Sequence, residues 1–325
     1  MRKLSFLGLL VVAPSLAQTF DVEQIDQLFR PRLRVDLHYQ PESAFRDTTG
    51  FFSELDGSAA VTFPIHSRFD VSLGLDTNAR SLGELVTNSV RIEASQLLGS
   101  FRFGARQVET GFDTVPTRQL YSASVGLMGM KLTKKKRVLF WSANVNVSEE
   151  DASLDGAVPR FNGTIGKMHV KGVRRTFFYG LGIAFSDKLT LPMPFIGGTA
   201  PLGGDWSFQY VLPAQLAVGF APTKRTKFLS GISIDAFRSG AQWHADRANL
   251  NYGAVRAFLN VRYKAGDHFQ VRADLGYAFT QTVRFSGTAV EPTRYPIVPG
   301  LSIGVGANVL FGAGIMERVI EEVVR

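Results

Sequence analysis

The residues of this sequence that could do chemistry are mostly ionic. Charged and amide side chains occupy alternate positions within the segments 32–38, 256–262 and 270–274, interrupted only by Phe258. Side chains at that spacing lie on one face of a β-strand. The sequence therefore predicts polar strand faces that carry Arg34, Asp36, His38, Arg256, Asn260, Arg262, Arg272 and Asp274.

A catalytic site has weaker support. His244 and Asp246 are two residues apart in a predicted external loop, and Asp151 and Asp155 lie in another. Such groups could activate water in a hydrolase, but loops commonly carry solvated charges. The sequence has no cysteine, which excludes thiolate nucleophiles and thiolate metal sites. It also shows no metal-spaced cluster, no glycine-rich phosphate loop and no nucleic-acid motif, so we expect no enzymatic activity, no metal and no cofactor.

The elements that must position these side chains alternate in polarity. Apolar and polar residues alternate in segments such as 33–40, 139–148, 177–186, 206–220 and 269–279. Strands of soluble domains are typically about 5–6 residues long, whereas a transmembrane strand needs about 9–11. Long alternation predicts strands with one face in lipid and the other in a polar interior.

The strand count favours an all-β fold, a transmembrane antiparallel up-and-down barrel of about fourteen strands. Twelve or sixteen strands stay open, because Leu98, Gly99 and Ser100 make a poor turn. Within 205–221 we expect a bulge at Pro213, since proline cannot donate to a strand ladder. The predicted strands are 31–40, 52–65, 69–76, 89–97, 101–108, 119–131, 138–148, 173–186, 189–198, 205–221, 227–238, 253–264, 268–281 and 300–312.

The lengths of the predicted connections suggest an orientation. Every even-numbered connection is short, and barrels in bacterial outer membranes have short periplasmic turns and longer external loops. Both termini would then be periplasmic. The predicted external connections are 41–51, 77–88, 109–118, 149–172, 199–204, 239–252 and 282–299.

Aromatic residues argue against the soluble alternative, a large β-sandwich. They lie on apolar faces towards strand ends, as the aromatic girdles of membrane barrels do. The faces opposite are rich in glycine, serine, asparagine and charge, which would make a poor second core layer. The predicted girdle residues are Tyr39, Trp141, Phe177, Phe185, Trp206, Phe220, Phe279 and Phe311.

The start of the sequence indicates export. Arg2 and Lys3 precede a short apolar run, and Ala17 ends a small-residue motif, so residues 1–17 are predicted to be a signal peptide cleaved after Ala17. The formal net charge of +8 then falls to +6. We expect 18–30 to be a periplasmic segment, 31–312 the outer-membrane barrel, and 313–325 a periplasmic tail, either frayed or a short amphipathic helix.

The middle of the sequence resembles a known family. Phe178 to Gly182, Leu191 to Pro194, Asp205 to Ser207 and Leu212 to Ala214 are similar to motifs of an uncharacterised, domain-of-unknown-function family of outer-membrane β-barrel proteins from Gram-negative bacteria. The resemblance covers about residues 120–312. It implies a location and a fold, and it carries over no catalytic residues.

Closure of the barrel would bring the ionic faces together. If the last strand pairs with the first, the four strands around that seam form one basic wall, while small residues such as Gly304 and Gly306 leave room opposite. The first hypothesis is a non-catalytic pore or uptake channel for small polar or anionic solutes. The second hypothesis is a closed barrel, in which the arginines and aspartates pair with one another and the external loops carry the function. The third is an outer-membrane hydrolase.

The expected partners follow from the location. A basic, exported barrel fits anionic lipid headgroups better than nucleic acid. We expect contact with outer-membrane lipid and lipopolysaccharide, and with the outer-membrane assembly machinery. The sequence does not identify a solute.

Overall fold

The chain forms one antiparallel sheet. In the computed structural model, the described part of the chain contains no helix long and apolar enough to cross a membrane. The structure describes residues 30–73, 90–111, 115–133, 137–152, 154, 157–172, 175–186, 189–243, 246–287 and 293–311.

Fifteen strands follow one another within these residues. They are β1 Arg32–Ala44, β2 Phe51–Leu73, β3 Val90–Thr110, β4 Thr117–Leu132, β5 Arg137–Glu149, β6 Arg160–Gly172, β7 Arg175–Ser186, β8 Leu189–Gly203, β9 Trp206–Leu212, β10 Gln215–Phe220, β11 Thr226–Trp243, β12 Asp246–Lys264, β13 Phe269–Ser286, β14 Thr293–Ile297 and β15 Gly300–Leu310.

Sequential strands pair, and the sheet closes on itself. β15 pairs with β1 from Arg32 opposite Leu310 to Tyr39 opposite Ile303, and its other edge pairs with β13. β14 pairs with β13 between Gln281 and Phe285. Only residues 298 and 299 separate β14 from β15, so β14 and β15 together form one strand of the wall. The prediction of an all-β, up-and-down barrel of fourteen strands is confirmed.

The two faces of the sheet differ in polarity. On β1, Val35 is 50% exposed and Leu37 is 49% exposed, while Arg34, Asp36 and His38 on the other face are half-buried. The same alternation runs around the barrel, and its outer surface carries many exposed Leu, Ile, Val and Phe side chains. A closed sheet with an apolar outer face and a polar interior is the architecture of a membrane-spanning barrel.

We call the end where β1 begins and β15 ends the terminal end, and the opposite end the distal end. The predicted girdle residues lie towards one end or the other on the outer face, six of them exposed and Phe177 and Phe220 half-buried. The rings of Trp206 and Phe220 stack at 4.6 Å. Tyr39, Phe185 and Phe279 lie towards the distal end, and Trp141, Phe177, Trp206, Phe220 and Phe311 lie towards the terminal end.

Several predicted strand bounds are wrong, and the errors cancel in the count. The predicted pair 52–65 and 69–76 is the single strand β2, with a register shift between Pro64 and His66. The pair 89–97 and 101–108 is likewise the single strand β3. The predicted loop 149–172 contains β6, which begins at Arg160.

The predicted strand 205–221 is a hairpin. β9 ends at Leu212, β10 begins at Gln215, and Tyr210 pairs with Leu216. Pro213 therefore lies in a turn and not in a bulge. The missed β6 also reverses the predicted direction of the two segments that follow it, β7 and β8.

The predicted contrast between long external and short periplasmic connections is also wrong. Residues 199–203 belong to β8, and its turn to β9 lies at the terminal end. The connection 187–188, predicted to be periplasmic, lies at the distal end. Connections at both ends are mostly short, and 74–89 joins two strands at the terminal end.

Some predictions concern residues that the structure does not describe. The signal peptide 1–17, almost all of segment 18–30 and the tail 313–325 lie outside the described residues, as do His244 and Asp155. These parts of the interpretation stay predictions.

Candidate lumen site

Barrel closure assembles the ionic wall. β12, β13, β15 and β1 are consecutive neighbours, with Asn260 opposite Asp274 and Arg262 opposite Arg272. Their inner faces border a cavity of about 380 Å³ within the barrel. Of the eight residues that the sequence singled out, the cavity is lined by Arg34, Asp36, His38, Arg256, Arg272 and Asp274.

The two remaining candidates lie beneath the cavity, towards the terminal end. Asn260 is fully buried and donates through Nδ2 to Oδ2 of Asp274 at 3.3 Å. Arg262, also buried, donates through Nε to Oδ1 of Asn260 at 2.9 Å. With the buried Gln270 and Asn308 they form a polar layer that supports the cavity lining from below.

The arginines of the wall are paired. Asp36 accepts from Arg34 and lies 2.8 Å from Nη2 of Arg272. Arg256 lies 2.5 Å from a carboxylate oxygen of Asp235 and 3.9 Å from one of Asp274. Because buried charges are costly unless paired, these contacts stabilise the charged interior.

Sequence analysis missed half of this ionic network. Arg106 on β3 lies 3.3 Å from Glu54 and 3.2 Å from Asp56, both on β2. Arg102, on the same face of β3 as Arg106, donates to Ser58. A signal was present, because these charged residues occupy the inward parity of strands that follow β1 directly.

The cavity is almost neutral by formal charge. Among the described residues, six arginines and five carboxylates line it. The arginines are Arg34, Arg102, Arg106, Arg238, Arg256 and Arg272, and the carboxylates are Asp36, Glu54, Asp56, Asp235 and Asp274.

The glycines expected opposite the basic wall lie within it. Gly304 and Gly306 are on β15, between β13 and β1. A Cβ at Gly306 would come within 2.8 Å of Nε of Arg272 and would also clash with the Asp36 carboxylate. This glycine therefore makes room for the Asp36–Arg272 ion pair, and the prediction that it leaves open space opposite the wall is wrong.

The distal half of β11 turns away from the barrel wall and into the interior. Gln215 pairs with Ser233, and the amide of Ile234 donates to the carbonyl of Ala214 at 2.9 Å. Beyond that point, as far as Trp243, β11 pairs only with β12 among the described strands. We call Asp235–Trp243 the inserted segment.

Contacts of the inserted segment cross the barrel interior. Ser148 on β5 donates to Ser239 at 2.9 Å, although five strands separate β5 from β11 along the wall. Arg160 on β6 donates to the carbonyl of Arg238 at 2.6 Å. The amide of Gln242 donates to Glu150 at 2.8 Å. Side chains from the far wall thus bond to backbone groups of β11 where β10 is missing.

Aromatic side chains fill the distal end of the lumen. Phe52 on β2 stacks on Tyr252 on β12 at 5.2 Å, and Trp243 stacks on Phe285 at 3.9 Å. The Tyr252 hydroxyl lies 3.1 Å from Gln281. We call this buried set the distal plug: Phe45, Phe52, Val108, Leu120, Phe237, Ala241, Trp243, Ala248, Leu250, Tyr252, Ala254, Ala278, Val283, Phe285 and Ile297.

A second apolar cluster covers the inner wall across from the ionic wall. Met130, Phe140, Phe178 and Phe195 are buried on the inner faces of β4, β5, β7 and β8. The ring of Phe195 lies 6.2 Å from that of Phe140 and 6.3 Å from that of Phe178. Distal to this cluster the inner faces of β4, β5 and β6 are polar, because Ser122, Asn144 and Asn162 line the cavity there.

The structure gives little to a catalytic interpretation. Within the described ranges, no three His, Asp or Glu side chains are grouped as metal ligands would be. Asp246 is the first residue of β12, at the distal end, and Asp151 follows β5 at the same end. Because His244 lies outside the described residues, its pairing with Asp246 stays a prediction.

Solved structures with a similar fold are bacterial membrane barrels. An outer membrane channel from Pseudomonas putida F1 is 7% identical, with 87% of this chain and 96% of that chain covered and a TM-score of 0.44. Omp33 from Acinetobacter baumannii is 11% identical (87% and 99% covered, TM-score 0.37). The translocator domain of the autotransporter NalP from Neisseria meningitidis is 9% identical (92% and 96%, 0.34). The likeness extends to the barrel architecture and no further.

No family model and no curated protein matches this sequence. The resemblance to an uncharacterised outer-membrane family stays a prediction.

Proposed function

We propose that this protein is an outer-membrane channel for small polar solutes, present here in a closed state. The observation that carries the proposal is the charged cavity inside a closed barrel whose outer face is apolar. The apolar face requires lipid, and a polar interior gives water-soluble molecules a path through it. The outer leaflet, with its lipopolysaccharide, would surround the distal end.

The charge of the cavity argues for polar and dipolar solutes over simple anions. Six arginines face five carboxylates among the described lining residues. Paired charges of both signs attract a solute that carries both a positive and a negative group, and they repel neither ion strongly. The strong anion preference suggested by the arginines alone is therefore reduced.

The inserted segment of β11 acts as the gate in this proposal. It brings Phe237 and Trp243 into the distal plug, and it is fixed by a few hydrogen bonds from β5 and β6. Breaking those bonds would allow the inserted segment to move outward, into the part of the wall that lies distal to the end of β10. The lumen would then open at the distal end.

Ion conductance in planar bilayers tests the proposal. We expect rare, brief openings from the native chain and longer or more frequent ones from Arg160→Ala, because this variant loses the bond to the Arg238 carbonyl. Arg175→Ala is the matched control, since Arg175 is an exposed arginine at the terminal end of the neighbouring strand. Silence from folded, inserted Arg160→Ala protein would overturn the channel.

The same cross-lumen contacts favour a second candidate, a closed barrel that acts through its distal surface. Buried aromatic rings fill the distal end, and filled lumens suit a structural or surface-interaction protein. The Arg160→Ala experiment separates the two, because a structural barrel loses stability without gaining conductance.

A further inference from the structure

The barrel wall is incomplete on one side. β9 pairs with β8 only from Ile196 to Gly203, and β10 pairs with β11 only as far as Ser233. Distal to the hairpin tip at Pro213, the described parts of β8 and β11 have no strand between them. Because the distal half of β11 also turns inward, the wall beside the distal part of β8 is open.

The sequence of β8 is suited to an open edge. Pro192 and Pro194 lie in the unpaired stretch, are exposed, and share one parity. Proline has no N–H to donate, so it is found almost only at sheet edges. The same stretch pairs with β7 along its other edge. The two prolines therefore protect this edge from pairing with another strand.

The cavity extends to the β11 side of this gap, and its described lining includes no residue of β8. Ala214 at the hairpin tip lines it, and so do Ile234 and Ala236, which lie on the outward face of β11. Lower on that face, Ile232 is 48% exposed to the lipid side, whereas Ile234 and Ala236 are half-buried. Where β11 turns inward, the face that met lipid becomes part of the cavity lining.

The lining at the gap is amphipathic. Ala214, Ile234 and Ala236 supply an apolar strip next to the gap. Gln215 is 5% exposed and lines the same cavity, and its side-chain nitrogen has no hydrogen-bond partner among the residues that the structure describes. Asn162 and Arg238 add two further donor side chains to this lining. Such donors suit a head group that accepts hydrogen bonds, and the apolar strip suits a hydrocarbon chain.

We infer that this gap is a lateral portal between the membrane and the lumen, and that it takes a single-chain amphiphile with an oxygen-rich head, a fatty acid being the simplest. The head accepts a hydrogen bond from Nε2 of Gln215. The chain lies between β8 and the Ile234–Ala236 face of β11 and extends into the bilayer. This route differs from the axial path of the proposed channel, and it does not require the distal plug to open.

Photo-crosslinking in lipid nanodiscs tests the portal. A medium-chain fatty acid with a diazirine on its chain is activated in the presence of the full protein, and labelled residues are identified by mass spectrometry. We expect label on Ile234 and Ala236, in addition to the general label on lipid-facing residues such as Ile232 and Leu216. Label confined to outward residues would overturn the inference.

A pair of glutamine variants tests the head-group site. Gln215→Ala should lower labelling of Ile234 and Ala236 by about tenfold, the loss expected for one hydrogen bond to a charged head. Gln209→Ala is the matched control, because Gln209 is 6% exposed on the neighbouring strand β9 but does not line the cavity. Equal effects of the two variants, or none from Gln215→Ala, would contradict the site.

A methyl ester of the same probe separates charge from shape. The ester keeps a carbonyl acceptor and the chain, so reduced but Gln215-dependent labelling supports the proposed head contact. Labelling that is equal for the acid and the ester, and equal in the native chain and in Gln215→Ala, would overturn the site. The gap would then be a groove filled by lipid. Neither result depends on conductance, so the portal and the axial channel succeed or fail separately.

Discussion

At the residue scale, small side chains decide where charge can be buried. Asp36 can reach Arg272 because β15 places Gly306 between their strands. The pair is only partly exposed, so the distance between carboxylate and guanidinium must be kept short to offset the loss of water. A methyl group on the intervening strand would separate the two charges.

Gly306→Ala should therefore destabilise the barrel. The added Cβ comes within 2.8 Å of Nε of Arg272, and overpacking of this kind costs about 1–3 kcal/mol. Gly253→Ala is the control, because no described residue lies within 4 Å of a Cβ at Gly253. The free energy of unfolding in guanidinium from lipid vesicles measures the difference. Equal stability of the two variants would show that the Asp36–Arg272 ion pair accommodates the added methyl group without cost.

The alternation of polar residues was enough to find most of the ionic wall. Arg34, Asp36 and His38 line the cavity because strand parity alone decides which face they occupy. Glu54 and Asp56 had the same signal on the next strand and could have been included. Asp235 had the same signal, since it alternates with the outward Ile234 and Ala236, but the inward turn of β11 did not.

At the element scale, the hairpin β9–β10 and the inserted segment of β11 are two parts of one arrangement. The hairpin is short, so among the described strands none pairs with the distal half of β11 on that side. Its backbone groups still need hydrogen bonds. Arg160 and Glu150 supply them from across the lumen, and this draws β11 into the interior.

A disulfide across the lumen should lock the inserted segment. Ser148 and Ser239 have hydroxyl oxygens 2.9 Å apart, and the native chain has no cysteine. In the Arg160→Ala background, Ser148→Cys with Ser239→Cys should silence conductance when oxidised and restore it when reduced. The expectation follows because the bond joins the segment to the opposite wall.

The control disulfide stays within the wall. Ser142 and Thr164 on adjacent strands have hydroxyl oxygens 2.6 Å apart. Cysteines at these positions should leave the conductance of the Arg160→Ala chain unchanged in both redox states. Openings that persist after the cross-lumen disulfide has formed would remove the inserted segment as the gate.

Two errors in the predicted elements have clear physical causes. β6 was missed because Gly163 and Lys167 interrupt its outward apolar face. The β9–β10 turn was missed because Tyr210 pairs with Leu216, so even-numbered residues face outward on both strands. Alternation then passes through the turn unbroken, and a hairpin is indistinguishable from one long strand.

At the scale of the whole molecule, the balance of charge in the lumen sets ion preference. Arg256→Ala with Arg272→Ala removes two of the six lining arginines and leaves the five carboxylates. We expect the reversal potential in a salt gradient to shift towards cation preference. The paired control is Arg175→Ala with Arg225→Ala, since both arginines are exposed at the terminal end. An unchanged reversal potential would place the conduction path elsewhere.

The outer face should also behave as a lipid-facing surface. Val305 is 56% exposed near the middle of β15, and arginine there should destabilise the protein in bilayers by about 2–4 kcal/mol. Glu42→Arg, at an exposed position in the distal part of β1, should cost much less. Unfolding from vesicles compares the two variants. Similar costs would mean that Val305 does not face the hydrocarbon core.

The pairing of β1 with β15 also shapes how the chain must fold. Every other strand joins a neighbour that is close in sequence, so those contacts form with little loss of chain entropy. The seam joins the first described strand to the last, and it can form only after the strands between them have been arranged. Until then, both edges of the sheet are open to association with other chains. Closure of this one seam is therefore the step at which folding competes most directly with aggregation.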